Sequence, residues 1–352
     1  MHKDYKDTID EINATKRISY GQLADILTDE DAENEQYLFE EAQKVSALHF
    51  GKQVYIRGLI EFTNYCKNDC YYCGIRRSNT NAERYRLTEE EILSCCDKGA
   101  ELGFSTFVLQ GGEDPYFDDD RMCRIVRRIK EEHPLCAVTL SIGERARESY
   151  QRLFDAGADR YLLRHETANE EHYGRLHPKS MSARNRRKCL IDLKEIGYQV
   201  GCGIMIGTPH QTTEHIYEDI VFMQELMPHM IGIGPFIAHK DTPFKDEPDG
   251  SVGLTLRLLA IIRLLFPKVL LPATTALGTA DASGREKGIL AGANVLMPNL
   301  SPAGVRDKYL LYDGKICTGE EAAECISCLR RRVGRIGYKL TDSRGDHPDF
   351  IR

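Results

Sequence analysis

Three cysteines close together in the chain limit its fold and its chemistry more than any other feature. Cys66, Cys70 and Cys73 follow the spacing C-x3-C-x2-C, with the aromatic Tyr72 before the third cysteine and Gly74 after it. Thiolates on one loop can hold three irons of a four-iron cluster, which leaves the fourth iron open to a ligand. The spacing therefore predicts a catalytic [4Fe-4S] site with Cys66, Cys70 and Cys73 as its metal ligands.

Zinc, disulfides and three unrelated buried thiols are the alternatives. A zinc site would need a fourth cysteine or histidine at finger-like spacing, and the next cysteines, Cys95 and Cys96, lie in a helical pattern. Disulfides suit a short secreted chain, whereas this one has 352 residues and no signal-peptide pattern. The iron–sulfur interpretation is therefore favoured.

The composition argues against a membrane or a nucleic acid as partner. Residues 1–20 are polar and charged, and no run of about eighteen uncharged apolar residues follows, so we expect a cytoplasmic protein. The net charge of −7 and the pI of 5.9 give no general basic excess for nucleic acid. Twelve cysteines in a reducing compartment favour metal binding over disulfides.

Strand and helix patterns alternate regularly after the first fifty residues. The predicted strands are Val54–Phe62, Thr106–Leu109, Ala137–Ile142, Tyr161–Arg164, Gln199–Ile206, Ile231–Phe236, Leu270–Thr274 and Val295–Met297. Eight strands separated by helical segments predict parallel strands and a complete (β/α)8 barrel of the α/β class. A six-stranded partial barrel is the alternative. We expect a helical N-terminal cap over 1–50, the barrel over 51–305, and a tail over 306–352.

The active site of a parallel barrel lies at the carboxyl ends of its strands, so the residues that close each strand are its candidates. The second strand ends in Gln110-Gly111-Gly112-Glu113, whose glycines would let the backbone approach a ligand closely. Arg164 and Glu166 close the fourth strand, where an arginine can bind a carboxylate and a glutamate can accept from hydroxyl or ammonium groups. A structural ion pair between the two is the alternative.

Further candidates follow the later strands. Arg186 is a second candidate for a carboxylate, with a solvated basic face as its alternative, and Met205 with Ile206 fits an apolar ligand wall. Thr274 and Thr275 end the seventh strand, and Met297 begins the segment that ends the eighth. These residues could bind a small polar substrate, although a threonine at a strand end is also a common helix cap.

A second cysteine cluster lies in the tail. Cys317, Cys325 and Cys328 have the spacing C-x7-C-x2-C and are far in sequence from the first cluster. Three thiols in twelve residues suggest an accessory iron–sulfur cluster, with zinc or unused cysteines as alternatives.

Several segments together resemble the HydE family of [FeFe]-hydrogenase maturases, a branch of the radical S-adenosylmethionine (SAM) superfamily. The resemblance covers about residues 54–328. Besides the cysteine loop, its segments are 57–64, 109–116, 161–169, 232–236, 272–276 and 297–299, of which RHETAN at 164–169 and PATTA at 272–276 are the most specific.

The resemblance implies that the cysteine cluster binds SAM at its open iron and cleaves it reductively to a 5′-deoxyadenosyl radical. Residues that would surround SAM are Gln110, Gly111, Gly112, Glu113, Glu166, Arg186 and Met205. Residues that would line a deeper substrate cavity are Thr139, Arg164, Thr274, Thr275, Met297, Tyr309 and Tyr312. The tail cysteines Cys317, Cys325 and Cys328 resemble an accessory cluster that only some members carry.

The implied substrate is a cysteine-bound iron dicarbonyl cyanide precursor of the hydrogenase two-iron site. The implied partners are the other hydrogenase maturases and an electron donor such as ferredoxin or flavodoxin. Methylornithine synthase, a radical SAM amino-acid mutase acting on lysine, is the alternative among enzymes, and biotin synthase is a poorer one. A non-catalytic iron–sulfur scaffold or carrier is the alternative outside enzymes.

Replacing Cys66, Cys70 and Cys73 together by serine should abolish the catalytic cluster and reductive SAM cleavage, because serine hydroxyls replace all three thiolate ligands. The measurement is iron content, the reduced-cluster spectrum and 5′-deoxyadenosine formation after anaerobic reconstitution. A variant that keeps a reducible SAM-binding cluster would rule out this assignment.

Overall fold

The computed structural model describes residues 4–316 and 322–350 of the chain. Three helices open it: α1 Tyr5–Thr15, α2 Tyr20–Thr28 and α3 Ala32–Phe50. Ser19 begins α2 with a capping box to Gln22, which satisfies backbone donors of the first turn. The helices expected within 1–50 are therefore present, and their assignment as a separate cap stays a prediction.

Six parallel strands form the main sheet, in their order along the chain. They are β2 Gly58–Thr63, β3 Thr106–Gly111, β4 Ala137–Ser141, β5 Arg160–Leu162, β6 Gln199–Ile206 and β7 Met230–Pro235. Between them lie α4 Glu89–Glu101, α5 Asp119–Glu132, α6 Arg147–Asp155, α7 Glu170–Leu176, α8 Ala183–Ile196 and α9 Thr213–Leu226, and α10 Val252–Leu265 follows β7. The predicted βα alternation is confirmed through these strands.

The predicted single strand at 54–62 is wrong in one respect, because the chain changes sheets within it. Its first part, β1 Gln53–Ile56, pairs in parallel with β8 Val295–Leu296 and with β9 Lys339–Thr341. The chain passes through the buried Arg57 before β2 joins the main sheet. Strand β9 lies in the tail and was not predicted.

The predicted strand Leu270–Thr274 is also wrong, because this segment makes only isolated parallel bridges. Leu270 bridges Met230 and Pro272 bridges Val295. Proline lacks the N–H that a continuous ladder needs. Thr274 then caps α11 Thr275–Ala280 by accepting a hydrogen bond from the Leu277 N–H.

One further bridge connects the end of the eighth unit to β2. Leu59 pairs in parallel with Asn299, the Leu59 N–H donates to Pro298 O at 2.8 Å, and the Leu300 N–H donates to Leu59 O at 2.7 Å. The remaining helices are α12 Gly284–Leu290, α13 Ala303–Arg306 and α14 Ala322–Arg335. Isolated parallel bridges thus link β7 to Leu270, Pro272 to β8, and Asn299 to β2.

The interior is apolar where helices cover the sheets. Most residues of α10 are buried, and α3 packs along this helix. In the part of the chain that the structure describes, no helix combines the length and the apolar character that crossing a membrane requires.

The C-terminal segment covers the starts of β5 and β6. Asp346 lies 2.7 Å from the buried Arg160 and accepts a hydrogen bond from Gln199 at 2.6 Å. Arg344 donates to Asp346 at 2.8 Å and to Asp159 at 3.1 Å. The tail is therefore anchored to the sheet by charge pairs, and Asp346 balances the charge of Arg160.

Asp346→Ala should destabilise the fold by about 2–4 kcal/mol, because it removes the carboxylate that lies 2.7 Å from the buried Arg160. Asp349→Ala is the matched control, since its partner Lys268 is half-exposed and the pair lies at the surface, and it should cost at most about 0.5 kcal/mol. Chemical denaturation of both variants measures the difference. Equal stability losses would show that Asp346 does not anchor the tail.

Candidate active site

The cysteine loop follows β2 and contains little regular structure, so side chains must satisfy its backbone groups. Arg84 donates to the carbonyl oxygens of Asn64, Ile75, Arg76 and Asn79 at 2.5–3.1 Å. The Arg84 guanidinium therefore binds both ends of the cysteine loop. The sequence analysis missed Arg84, because an arginine outside the motif carries no local signal of such a role.

An internal ion pair also shapes the loop. Asp69 accepts from Arg76 at 2.7 Å and from the hydroxyl of Ser78 at 2.6 Å. The hydrogen bond from Arg76 holds the pKa of the Asp69 carboxyl well below its usual value. These contacts fold the loop around the ion pair of Asp69 and Arg76.

The three loop thiols are half-buried and carry no disulfide. Burial raises the pKa of all three, that of Cys73 to about 12, and the neighbouring thiols add to the shift at Cys70 and Cys73. Thiolates so disfavoured need a strong cationic partner to replace their protons. The donor set therefore suits a metal cluster.

A single zinc ion fits these thiols poorly. Tetrahedral zinc with Zn–S bonds of about 2.3 Å holds its sulfurs roughly 3.8 Å apart. Among the described residues, the one group of three potential ligands within 4.8 Å of one another is Asp97, Glu132 and His133. The three loop thiols do not form such a group, which favours a larger cluster over a single zinc ion.

The end of β3 packs directly against the cysteine loop. The Lys67 N–H donates to Glu113 O at 2.9 Å, and the Gly112 N–H donates to Thr63 O at 3.2 Å. A Cβ atom on Gly112 would collide with Tyr65 O and lie 2.8 Å from Cys66 Cβ. Glycine at this position is thus required by the close approach of two backbones, and segment 110–113 lies beside the predicted cluster ligands.

Glu113 is fixed by partners from two sides. Its carboxylate accepts from the Glu144 N–H at 3.0 Å and lies 3.2 Å from Lys67 Nζ. Gly143, at φ +77°, allows the chain to turn beneath this carboxylate. Glu113 therefore reaches from β3 to the segment after β4.

Arg186 is buried and not part of a solvated basic face, so that alternative is wrong. Its Nε lies 2.7 Å from Glu144 Oε1. Burial opposes its charge, but Tyr173, Glu144 and Glu113 outweigh burial and raise the pKa of the guanidinium. Arg186 therefore stays cationic next to the carboxylates of the site.

The aromatic residue of the cysteine motif is held by a histidine that the sequence analysis did not single out. The Tyr72 hydroxyl lies 3.1 Å from His177 Nε2, and His177 Nδ1 lies 3.0 Å from Tyr173 O. Burial lowers the pKa of His177 to about 3, so its ring is neutral and Nε2 can accept from Tyr72. The segment after α7 thereby orients Tyr72 between two cluster ligands.

Arg164 and Glu166 lie together, but not because they share one face of a strand. β5 ends at Leu162, and Glu166 has a left-handed backbone with φ +64°. Arg164 Nε lies 3.5 Å from Glu166 Oε1, which is too long for a strong hydrogen bond. Arg164 Nε and Nη2 and Glu166 Oε2 are buried without hydrogen-bond partners in the described structure. The ion pair thus leaves donors and an acceptor for a ligand.

The segment around Glu166 is fixed by buried polar contacts. His165 Nε2 lies 3.4 Å from Asp219 Oδ1, which also accepts from the Ala168 N–H at 2.5 Å. The Glu166 N–H donates to Gly203 O at 3.0 Å. These contacts hold the unusual backbone of Glu166 in place.

The remaining predicted site residues differ in burial and in their position in the fold. Met205 is half-buried near the end of β6, and Thr139 is buried in β4 with its hydroxyl unpaired among the described residues. Thr275 and Met297 line a small cavity together with Glu61. Thr274 acts as the helix cap named among the alternatives.

Tyr309 and Tyr312 follow α13 in the tail. Tyr309 is buried, its hydroxyl lies 3.5 Å from Gln110 Nε2, and burial with the nearby Glu61 raises its pKa. Burial raises the pKa of Tyr312 as well. Of the tail cysteines, Cys317 lies outside the described residues, Cys325 lies in α14 and Cys328 is exposed on that helix. The accessory cluster stays a prediction.

Comparison with known sequences gives close relatives. Residues 60–223 match the family model of the radical SAM superfamily. The chain is 45% identical over 317 residues, 90% of both chains, to the [FeFe] hydrogenase maturase subunit HydE of Thermotoga maritima. It is 31% identical over 325 residues to 3-methylornithine synthase of Methanosarcina acetivorans, covering 92% of this chain and 90% of that one.

Solved structures share the fold. Methylornithine synthase PylB superposes with a TM-score of 0.83 at 29% identity, over 95% of this chain and 97% of that one. The hydrogenase maturase HydG superposes with a TM-score of 0.82 at 21% identity, over 97% of this chain and 77% of that one. The α/β architecture predicted from the sequence is therefore that of radical SAM proteins.

Gly112→Ala should weaken cluster binding and destabilise the protein by about 1–3 kcal/mol, because the new methyl group forces the cysteine loop away from β3. Iron bound per chain after anaerobic reconstitution, together with the thermal midpoint, measures the effect. Gly304→Ala is the matched control, since a Cβ there meets no atom within 4 Å. Full iron loading of the Gly112 variant would contradict the packing argument.

Proposed function

The chain belongs to the HydE branch of the radical SAM superfamily, and from this premise we propose that it acts on a cysteine-bound iron dicarbonyl cyanide precursor during assembly of the [FeFe]-hydrogenase active site. The observation that carries the proposal is the 45% identity to HydE along 90% of both chains. The open three-cysteine site beside segment 110–113 supports it.

We propose that the strands close into a complete (β/α)8 barrel around this site. The six-stranded sheet supplies β2 to β7, and the bridges at Leu270, Pro272 and Asn299 supply a path through β8 back to β2. Because these bridges are parallel and lie between β7 and β2, they favour a barrel of eight βα units over a six-stranded partial barrel. The carboxyl ends of the strands would then face one enclosed cavity.

The residues of the site fit the cluster and SAM that the family implies. Cys66, Cys70 and Cys73 would hold the cluster as thiolates, with iron in place of the thiol protons. When bound, the cluster and SAM supply a 5′-deoxyadenosyl radical. The close approach at Gly112 and the unpaired oxygen of Glu166 support a binding surface along one side of the loop.

The chain's own groups would then orient SAM. Gln110, Gly111, Gly112 and Glu113 would bind its amino acid part, Glu166 would accept from ribose hydroxyls, and Met205 would contact adenine. Arg186 stays cationic, so it would offset the carboxylates around it and attract an anionic group.

The substrate would lie deeper, between charged and aromatic walls. Arg164 offers two unpaired nitrogens and Thr139 one unpaired hydroxyl, all buried, which is the chemistry that binds a carboxylate or another anionic group. Residues that would line this cavity are Thr139, Arg164, Thr274, Thr275, Met297, Tyr309 and Tyr312. Their enclosure would keep water from a reactive intermediate.

Methylornithine synthase activity is the second candidate. The 31% identity along 92% of this chain and the TM-score of 0.83 to a methylornithine synthase structure favour it over other amino-acid mutases. The two enzymes would share cluster and SAM contacts, so they would differ in the walls of the deeper cavity. A non-catalytic iron–sulfur carrier would have neither activity.

Three measurements separate these functions. Reduction of the reconstituted protein with SAM should release 5′-deoxyadenosine, which a carrier would not do. Co-expression with a hydrogenase and the other maturases should give active hydrogenase only when this protein is present. Conversion of lysine to methylornithine, with no effect on hydrogenase activity, would overturn the proposal in favour of the second candidate.

Arg164→Lys should lower substrate use about tenfold or more, because lysine keeps the charge but loses the planar pair of donors. Glu166→Gln should instead weaken SAM binding, since an amide is a poorer acceptor for ribose hydroxyls than a carboxylate. Product formation, SAM affinity and thermal midpoints of both variants measure this. Variants that keep wild-type affinity and turnover but melt several degrees lower would make the pair structural.

A further inference from the structure

A segment of the tail crosses the carboxyl-end side of the strands. We define it as the strap, residues 307–316. The Gly74 N–H donates to Leu311 O at 2.9 Å, and Asn64 Nδ2 donates to Lys308 O at 2.7 Å. On the other side, the Asp313 N–H donates to Ala238 O at 3.1 Å. The strap therefore joins the cysteine loop to the segment after β7.

The contact with the cysteine loop is tight. A Cβ atom on Gly74 would collide with the backbone oxygen of Leu310 and with the ring of His239. Gly74 is the residue directly after Cys73, so any movement of the strap removes a contact from the loop that carries the predicted cluster ligands. The strap and the loop thus form one packed unit.

A buried ion pair fastens the strap to β2. Lys315 Nζ lies 2.6 and 2.8 Å from the two carboxylate oxygens of Glu61, and their side chains are only 6% and 2% exposed. Asn299 donates to the same carboxylate at 2.8 Å, and the Glu61 N–H donates to Ser301 Oγ at 2.8 Å. Every charge in this cluster is therefore paired.

The pair also fixes an aromatic residue of the cavity wall. Lys315 Nζ donates to Tyr309 O at 2.9 Å and lies 4.9 Å from the centre of the Tyr309 ring. Gln110, at the end of β3, approaches the hydroxyl of the same tyrosine. The position of Tyr309 consequently depends on Lys315.

The free energy of the ion pair by itself does not explain why two charges are buried here. Burying two charges costs several kcal/mol of solvation each, and an apolar pair of similar size is often as stable or more so. What the pair adds is one defined register between the strap and β2. This register fixes the cavity wall and the cysteine loop together, because both contact the strap.

We propose that Glu61 and Lys315 form a latch that closes the strap over the active site, and that they are positioning residues which act on the substrate through Tyr309. The closing function rests on the contacts of the strap. The effect on substrate rests on the proposed radical SAM function.

The test compares Lys315→Met, Glu61→Gln and the double variant with the wild type. Hydrogen exchange of peptides covering the strap, measured on the reconstituted protein, should be about tenfold faster in each single variant, because one buried charge loses its partner. The double variant removes both charges, so its thermal midpoint should recover most of the single-variant loss while the strap still exchanges fast.

The second measurement is the ratio of product to 5′-deoxyadenosine, which should fall in the double variant while SAM affinity is kept.

Lys308→Met is the matched control, since it breaks an exposed pair with Glu83 on the same strap. It should leave strap exchange and the product ratio unchanged. The latch is overturned if the double variant shows wild-type strap protection, or if its product ratio equals that of the wild type. If the single variants do not fold, the double variant alone decides. If the wild-type protein does not cleave SAM, the proposed function is wrong. The exchange measurement would still test whether the latch closes the strap.

Discussion

The arrangement of the site depends on the guanidinium of Arg84. A loop without regular structure would leave buried carbonyl oxygens unpaired, and Arg84 satisfies four of them from one side chain. Because these carbonyls belong to both ends of the cysteine loop, Arg84 holds together the backbone that carries the three thiols. Close packing at Gly74 and Gly112 adds contacts to this loop from Leu310 and His239 on one side and places it against the end of β3 on the other.

Around the loop, the charges fall into two classes. The Glu113 carboxylate accepts from the Glu144 N–H at 3.0 Å, and Arg186 Nε lies 2.7 Å from Glu144 Oε1, so these three residues form a framework of close contacts. Arg164 and Glu166 lie farther apart, with 3.5 Å between Nε and Oε1, and buried atoms of both lack hydrogen-bond partners among the described residues. Such unpaired groups are costly in a folded chain, and they mark where a ligand would bind. The framework thus surrounds a smaller set of groups that is available for chemistry.

Local sequence signals were reliable where short-range physics decides. β3, β4, β6 and β7 lie within a residue or two of their predicted positions. The errors occur where partners are distant in sequence. β1 and β2 read as one strand because both are rich in β-forming residues, but they pair with different neighbours.

The sequence by itself determined the three-thiol loop, the βα alternation and the polar residues at the strand ends, because spacing and periodicity depend only on residues that are close together in the sequence. Only the tertiary structure decided that Arg186 is buried against Glu144, that His177 holds Tyr72, and that Lys315 pairs with Glu61 from 254 positions away. A buried charge is stable only with its partner, and no local pattern names a partner that folding brings from the far end of the chain.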